Sequence, residues 1–447
     1  MNRLILVGNG FDLAHGLKTG YRDFIEHLWC TIYEELKNKA RQEGTLYNNP
    51  NKLYRFVDSN KILNICYTDP VANSLNRTAS IRSKGKTLTF PPFEIEDQGQ
   101  VIREFIENVK MIDCEHNNVF FKIITNNYLD KNWSDIEADY YKELKLHKDS
   151  EERVNILNNG FKQIKELLRK YLLSLEKPKK IKELEDEVYF PIDIDDTKIS
   201  FKDLLQSELL DRLQKIKSSE YERIKEKILN RSRRFSSGKL DSIKDIVYAI
   251  INIEDVRKGF LNFFLPDNIL LLNFNYTSVD SVYIKKPVYS PLLSNDIDAG
   301  TIYIHGSLDD PTKHMIFGYG DEEDDNYKEL EKSETKGLLD NVKSINYLEA
   351  SNYRNMEKFI ESGYYQIVIM GMSCGMADRT MLRKLFQHKN CISIKPYFHQ
   401  WKNEKEEIQD NYTEIVQNIF RCFSDKDLLR SIVTDKSKCK PLPQQTQ

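Results

Sequence analysis

Cysteine is scarce in this chain and is not arranged in pairs. Its 447 residues include seven cysteines without any C-x-x-C motif, at positions 30, 66, 114, 374, 391, 422 and 439. An odd number of scattered cysteines argues against a disulfide framework, and the spacing does not fit a structural zinc site. We therefore expect neither a bound metal nor structural disulfides.

The chain also lacks an excess of charge of either sign. It has 66 Lys and Arg residues against 69 Asp and Glu residues, which gives a formal net charge of −3. Because no long-range field attracts a polyanion, the composition favours no specific nucleic acid as a partner.

Long hydrophobic runs are missing as well. The longest candidate, FLNFFLPDNILLLNF, is interrupted by Pro266, Asp267 and Asn268, whereas a membrane helix needs about twenty apolar residues. The N-terminal run LILV is too short for a signal peptide. We expect a cytoplasmic protein that does not associate with a membrane.

Short apolar runs near the two ends of the sequence predict strands. Their apolarity is continuous rather than alternating, which is typical of central parallel strands covered on both faces. The runs are Leu4–Val7, Ile269–Phe274, Ile302–Ile304, Met315–Phe317, Ile367–Met370 and Ile392–Ile394. The sequence therefore predicts an α/β fold with a Rossmann-like parallel sheet.

The middle of the sequence instead has the pattern of helices. Its clearest helix carries apolar residues spaced alternately by three and four: Val154, Leu157, Phe161, Ile164, Leu168, Tyr171 and Leu175. Such a coiled-coil-type seam pairs with another helix, and the candidate partners are the series Leu204, Leu205, Leu209 and Leu213 and the series Ile243, Ile246, Val247 and Ile250. We expect an α/β domain (1–25 and 263–435), a helical insertion domain (26–262) and a disordered tail (436–447).

The first strand ends in a glycine-rich turn. The stretch GNGFDLAHGLKTGYRDF follows it, and a turn of small residues that leads into a helix leaves backbone N–H groups free for a phosphate. On local evidence alone, the glycines equally fit a tight turn with a close helix contact.

This opening resembles the signature of the bacteriophage abortive-infection family AbiH. Its spacing is also similar to the G-A-G-x-S-x-x-x-G-I-P-x-F-R opening of sirtuin-like NAD-binding domains. The resemblance implies a sirtuin-type sheet that binds NAD through Gly8, Asn9, Gly10, Phe11, Asp12, Gly16 and Tyr21.

Two downstream strand ends extend the resemblance. In LLLNFNYTSVD, Asn275 takes the place of the Asn in the sirtuin-like T-x-N-x-D motif. That Asn positions the nicotinamide ribose or the attacking water. Thr277 stands where the motif has its Asp. In TIYIHGSLDDP, His305 matches the His-Gly whose imidazole acts as general base. The alternatives are that Asn275 and Thr277 turn the chain and cap a helix, and that His305 is a structural hydrogen-bonding residue.

The block IVIMGMSCGMADRTMLRKLF resembles the G-x-S turn that contacts the adenosine half of NAD. The resemblance implies nucleotide contacts for Gly371, Ser373 and Asp378, although Asp378 alone fits a helix N-cap. Upstream of this block, Gly318 and Gly320 of IFGYG are candidates for a further loop over the site.

One motif lies within the predicted insertion. In NWSDIEADY, Ser134 and Glu137 have the spacing of a capping box, which accounts for both residues as a helix start. A similar W-x-D-x-E occurs in AbiH-like chains, so the alternative is that Trp133, Asp135 and Glu137 face the cleft.

The resemblance implies that NAD is a substrate. The chain has no zinc ribbon, which favours hydrolysis of NAD to nicotinamide and ADP-ribose over protein deacetylation, and loss of NAD from an infected cell would halt phage replication. The alternatives are a nucleotide sensor without turnover, which the loss of the acid at Thr277 favours, and a nuclease, for which clustered carboxylates are not recognisable. We also expect a homo-oligomer and a phage-derived trigger that acts through the insertion.

Overall fold

The computed structural model describes residues 1–46, 52–73, 78–90, 98–131, 135–176, 178–196, 199–232, 240–284, 297–309, 315–320 and 324–445. Within these ranges, no helix combines the length and the apolar character that crossing a membrane requires.

The strands form a parallel sheet, an antiparallel sheet and a small hairpin. They are β1 (Asn2–Val7), β2 (Tyr54–Val57), β3 (Leu63–Asn73), β4 (Thr78–Ser83), β5 (Lys86–Phe90), β6 (Asp113–His116), β7 (Asn268–Asn273), β8 (Asp298–Tyr303), β9 (Tyr365–Met370), β10 (Cys391–Pro396), β11 (Gln400–Lys402) and β12 (Ile408–Asp410).

The helices surround both larger sheets. They are α1 (Asn9–Ala14), α2 (Tyr21–Leu46), α3 (Gln98–Val109), α4 (Val119–Lys131), α5 (Ile136–Leu146), α6 (Glu151–Ser174), α7 (Lys182–Tyr189), α8 (Ile199–Gln214), α9 (Ser218–Arg231), α10 (Ile243–Asn252), α11 (Glu254–Lys258), α12 (Asp325–Lys332), α13 (Lys343–Asn346), α14 (Asn352–Glu361), α15 (Arg379–Phe386), α16 (Tyr412–Cys422) and α17 (Lys426–Ile432).

The parallel sheet has the strand order β10-β9-β1-β7-β8, and every neighbouring pair in it is parallel. This confirms the predicted α/β class and parallel sheet. The run Met315–Phe317 is buried but belongs to no strand. Along the chain the strands run from β1 outward to β7 and β8, and then return to the other side of β1 as β9 and β10. The order therefore reverses between β1 and β9, and ligands of open α/β sheets bind beyond the strand ends at such a reversal.

Continuous apolarity in these strands reflects burial on both faces. In β1, Leu4 and Leu6 pack on one face with α14, α15, α16 and α17, whereas Ile5 and Val7 pack on the other face with α1 and α7. Side chains alternate between the faces of a strand, so coverage by helices on both sides makes Leu4–Val7 a continuous apolar run.

Residues 26–262 are not a purely helical insertion, which corrects the expectation. They contain an antiparallel sheet of β2, β3, β4, β5 and β6, which packs on α2. Lys84 and Gly85 join β4 to β5 with φ angles of 46° and 75°, the left-handed pair that a two-residue hairpin requires. No continuous apolar run marks this sheet, because β4 and β5 are short strands with alternating burial and the longer β3 is irregular.

The apolar seam of α6 is buried within the same chain. Its residues pack in a cluster with α2, α4 and α5, so both predicted partner series are wrong. Leu209 and Val247 lie in a different cluster, where α8 packs against α10. That cluster also contains Met1 and Ile392, and α7 packs directly on β1 and β7. The second half of the predicted insertion therefore packs against the parallel sheet.

The C-terminal residues that were expected to be disordered are ordered through Gln445. Cys439 and Leu442 are buried, and the backbone N–H of Gln445 donates to the carbonyl oxygen of Ala14 at 2.8 Å. Leu442 packs in the cluster that contains α1, and Cys439 packs in the cluster that contains α16 and α17. These two side chains anchor a stretch that is otherwise polar in sequence.

Candidate functional site

A cavity of about 1210 Å³ lies at the carboxyl ends of the parallel strands. The turns that follow β1, β7 and β9, the end of β8, and the start of α5 all contribute to its wall. Most of the predicted site residues line it together: Gly8, Asn9, Gly10, Asp12, Tyr21, Asn275, Thr277, His305, Gly371, Ser373 and Asp378. The cavity lies where the strand order reverses, which is the position that open α/β sheets offer to ligands.

Two of the predicted residues do not line this cavity. Phe11 is fully buried against the sheet, where its ring contacts Tyr283. Gly16 has a φ of +76° at the end of the α1 turn, with the Gln445 side chain beside it. Both residues therefore support the glycine turn without lining the cavity.

The glycine turn is held by backbone contacts to the turn after β9. Gly8 N–H donates to Met370 O at 3.2 Å, Gly10 N–H to Gly371 O at 2.7 Å, and Phe11 N–H to Gly8 O at 2.9 Å. A Cβ atom on Gly10 would lie 2.8 Å from Gly371 O. These N–H groups are therefore occupied, in contrast to the phosphate cradle that the sequence predicted, and the glycines permit close packing of two turns.

Asp12 joins the turn after β1 to the turn after β7. Its Oδ1 accepts a hydrogen bond from Asn275 Nδ2 at 2.9 Å, and its Oδ2 accepts one from the Thr277 hydroxyl at 2.5 Å. Asn275 also donates to Gly8 O at 2.9 Å. Both amide hydrogens of Asn275 are thus used, and its Oδ1 has no protein partner in the part of the chain that the structure describes. Thr277, which replaces the acid of the resembling motif, is itself in contact with a carboxylate.

The pKa of Asp12 is raised to about 7, chiefly by burial and to a smaller extent by Asp280, against the hydrogen bonds from Thr277, Asn275 and Thr19, which lower it. Only 1% of the residue is exposed. A carboxyl group with this pKa is present in both protonation states near neutral pH. Asp280 is itself fully buried, and it accepts hydrogen bonds from Asn273 and Thr301.

His305 is enclosed on both sides of its ring. Its Nδ1 lies 3.0 Å from Phe274 O, and its Nε2 lies 3.0 Å from the Tyr347 hydroxyl and 3.1 Å from Asp378 Oδ1. A carbonyl and a carboxylate only accept hydrogen bonds, whereas the Tyr347 hydroxyl can donate as well as accept. Nε2 therefore either donates to Asp378 or accepts from Tyr347, and in both arrangements it already has a protein partner.

His305 belongs to a buried chain of charges. Lys343 Nζ lies 3.2 Å from Glu137 Oε2 and 3.1 Å from Asp378 Oδ1. Burial alone would lower the pKa of Lys343, but Asp378 and Glu137 hold it above its usual value. Burial would likewise raise the pKa of Asp378, yet Lys343 and His305 hold it well below its usual range. Two carboxylates, one ammonium and one imidazole thus contact one another in this chain.

The capping-box interpretation of NWSDIEADY is wrong in its details. The N-cap of α5 is Asp135, whose side chain accepts from Ala138 N–H at 3.1 Å. Glu137 faces the cavity instead, where it contacts Lys343 and accepts from Gly318 N–H at 2.9 Å. Burial raises the pKa of Asp135 to about 6, and Glu137 raises it further. Trp133 lies outside the described residues.

The remaining predicted residues make contacts with other protein groups. Asp378 precedes α15 but makes no side-chain cap with it, because its carboxylate points to Lys343 and His305. The backbone oxygen of Ser373 accepts from Asn418 at 2.7 Å. Tyr21 packs edge-on against Phe317, and Gly320 lines the cavity as part of the expected further loop.

A comparison with known families assigns this chain. The sequence model of the family described as "Bacteriophage abortive infection AbiH" matches residues 4–400. The chain belongs to the AbiH family. Neither the search of curated proteins nor the search of solved structures gave a match. The family match spans the parallel sheet, the segment with the second sheet and every residue of the buried charge chain, and it indicates a function in bacteriophage abortive infection.

Sequence reasoning missed several residues of this AbiH site. Lys343 and Tyr347 follow no strand and belong to no motif, and their partners are distant in sequence. Asp280 does carry a signal, because it follows Asn273 and Asn275 closely on the same strand end. Among the described residues, no three His, Cys, Asp or Glu side chains are grouped as metal ligands.

Proposed function

We propose that this AbiH protein is an abortive-infection effector that hydrolyses NAD to nicotinamide and ADP-ribose. The observation that carries the proposal is that Asn275 and His305, from the ends of two neighbouring strands, line one cavity with the glycine turn after β1. The volume of about 1210 Å³ accommodates a dinucleotide.

Hydrolysis of NAD requires the protein mainly to position the reacting groups. The bond between ribose C1′ and nicotinamide breaks through an oxocarbenium-like state, as in glycoside hydrolysis, and nicotinamide leaves as a neutral base. The protein must hold the ribose and a water molecule in line with that bond. The free amide oxygen of Asn275 is placed to accept a hydrogen bond from either of them, because Gly8 O and Asp12 fix the orientation of the amide.

The test measures nicotinamide release from NAD by the purified full chain, together with NAD levels in phage-infected cells that express it. The Asn275→Ala variant should lose at least about 100-fold in rate, a usual cost of removing an oriented polar group from an active site. The matched control is Asn118→Ala, which removes a buried amide that caps α4 and does not line the cavity.

The control should keep the wild-type rate per folded molecule. If the wild type releases no nicotinamide and infected cells keep their NAD, the proposed hydrolysis is wrong. If both variants lose activity equally, the effect belongs to stability rather than to the site.

A second candidate is a sensor that binds NAD, or a related nucleotide, without turnover. It is favoured by the enclosure of His305, whose ring nitrogens both contact acceptor groups. Calorimetry separates the two: a sensor binds NAD with measurable heat while the NAD remains intact.

Homo-oligomerisation and a phage-derived trigger are also part of the proposal. The seam of α6 does not support either one, because the chain itself covers it. Sedimentation of the purified chain at several concentrations tests the oligomer directly.

A further inference from the structure

We infer that Asp12 is the group that accepts the proton from the attacking water. The inference deepens the proposed hydrolysis and rests on it. It assigns to Asp12, on α1, a role that the resemblance gives to His305.

The position of Asp12 fits this role. Asp12 lines the cavity, and its Oδ1 lies 2.9 Å from the amide nitrogen of Asn275, so the carboxylate is next to the amide group that would hold the water. Each carboxylate oxygen has two lone pairs, and the three donors Asn275, Thr277 and Thr19 occupy three of the four. One lone pair is left for a hydroxyl group in the cavity.

The competing group is His305, and its contacts exclude it in this arrangement. Both ring nitrogens already have protein partners, which are Phe274 O on Nδ1 and Tyr347 and Asp378 on Nε2. To accept a proton from water, Nε2 would have to give up its contacts with Tyr347 and Asp378.

The electrostatic surroundings of Asp12 agree with a group that exchanges a proton near neutral pH. Burial is the main cause of its raised pKa. From the 3-10 helix Val279–Tyr283, Asp280 is the charged neighbour that raises it further, and the groups that lower it are the neutral donors Thr277, Asn275 and Thr19. The optimal pKa of a general base lies near the working pH.

The step is balanced without a further reactant. The water oxygen forms a bond to ribose C1′, the C1′–N bond breaks, and its electron pair stays on the nicotinamide nitrogen. The water proton passes to the Asp12 carboxylate, which releases it to solvent before the next turnover. The products are nicotinamide, ADP-ribose and one proton.

The experiment compares pH profiles of nicotinamide release by the full-length wild type, Asp12→Asn and Asp280→Asn. Asp12→Asn keeps the size of the side chain and should lower kcat about 100-fold or more, with little change in KM, and should abolish the rise of kcat with pH. Asp280→Asn removes the like charge and should shift that rise to lower pH while preserving it.

Each outcome decides the inference. A folded Asp12→Asn variant that keeps its kcat and pH profile overturns it while leaving the proposed hydrolysis intact. If Asp12→Asn does not fold, an Asp280→Asn variant whose profile stays at the wild-type pH overturns it in the same way. A wild type that releases no nicotinamide overturns both the hydrolysis and this role of Asp12.

Discussion

Lys343 and Glu137 are joined at 3.2 Å although 206 positions separate them in the sequence. Glu137 lies in the first turn of α5, in the segment that follows the first strand, and Lys343 begins α13, beyond β8 in the chain. The pair therefore ties that segment to α13, and Asp378 links Lys343 to His305. Its loss should affect the whole fold and not only the cavity.

Replacing Lys343 with Met should destabilise the protein by about 3–5 kcal/mol, because it leaves Glu137 and Asp378 buried without their cation. Lys343 is only 2% exposed, so water cannot replace the ammonium. The free energy of unfolding in urea measures the change. The control is Lys402→Met, which breaks the exposed pair between Lys402 and Glu406 and should cost less than about 1 kcal/mol. Equal losses in both variants would contradict a structural role for the buried chain.

Asp12 should make stability depend on pH. Its pKa is about 7 in the folded protein against 3.8 for an unperturbed Asp, so the folded state binds the proton more tightly than the unfolded chain does. The stabilisation that comes from proton binding to Asp12 is therefore complete below about pH 4, and it is lost as the pH rises through about 7. Relative to Asp12→Asn, the wild type should lose about 2–3 kcal/mol of unfolding free energy between about pH 5 and pH 8.

Urea titrations of both proteins at matched pH values measure this difference, and subtraction removes the contributions of groups that do not interact with Asp12. A difference that stays constant from pH 5 to pH 8 would show that Asp12 titrates normally. A difference that grows in favour of the wild type with rising pH would mean that its pKa is lowered instead.

The parallel sheet could be predicted from sequence because each of its strands is marked locally. Burial on both faces makes Leu4–Val7 of β1 and Ile367–Met370 of β9 continuous apolar runs, so the run itself is the signal. The glycine turn and Asn275 follow such runs directly. The ends of parallel strands meet at one edge of a sheet, so their convergence on a cavity follows from the fold class.

The antiparallel sheet and the buried charge chain depend on contacts that no short stretch of sequence encodes. Thr68 and Val71 flank a register shift in β3, with Asp69 at a φ of 49°, so this strand has neither regular alternation nor a continuous apolar run. Glu137 satisfies a helix-start pattern and a cavity role equally well in sequence. Only the position of Lys343 distinguishes the two.

Gly371 should not tolerate a side chain, for a reason that goes beyond its backbone angle. Its φ is +72°, and a Cβ atom there would lie 2.0 Å from Phe11 N, which is backbone and cannot move aside. Gly85 has a similar φ of +75° with nothing within 4 Å of the added atom. Gly85→Ala should thus lower the free energy of unfolding only by the conformational strain, about 1–2 kcal/mol. Gly371→Ala should lower the free energy of unfolding by clearly more, and it should also disturb Gly10 and the cavity.

Unfolding in urea gives both costs, and calorimetry with NAD reports on the cavity. Gly85→Ala should bind NAD as the wild type does, since the β4–β5 hairpin does not line the cavity. Similar unfolding free energies for the two variants would indicate that the turn after β9 can move away from Phe11.

Leu442 should hold the C-terminal segment against the wall of the cavity. It is 6% exposed, lies in the cluster that contains Val7 and Phe11, and lines the cavity. Leu442→Ala should therefore cost about 2–4 kcal/mol of unfolding free energy, the usual result of deleting a buried leucine side chain. Leu348→Ala is the matched control, because Leu348 is 77% exposed and its truncation should change stability by less than about 0.5 kcal/mol. Limited proteolysis adds a local measurement: cleavage near residue 440 should accelerate in Leu442→Ala and stay at the wild-type rate in Leu348→Ala. Unchanged stability and cleavage in both variants would mean that the backbone contacts of Gln445 and Leu442 alone secure this segment.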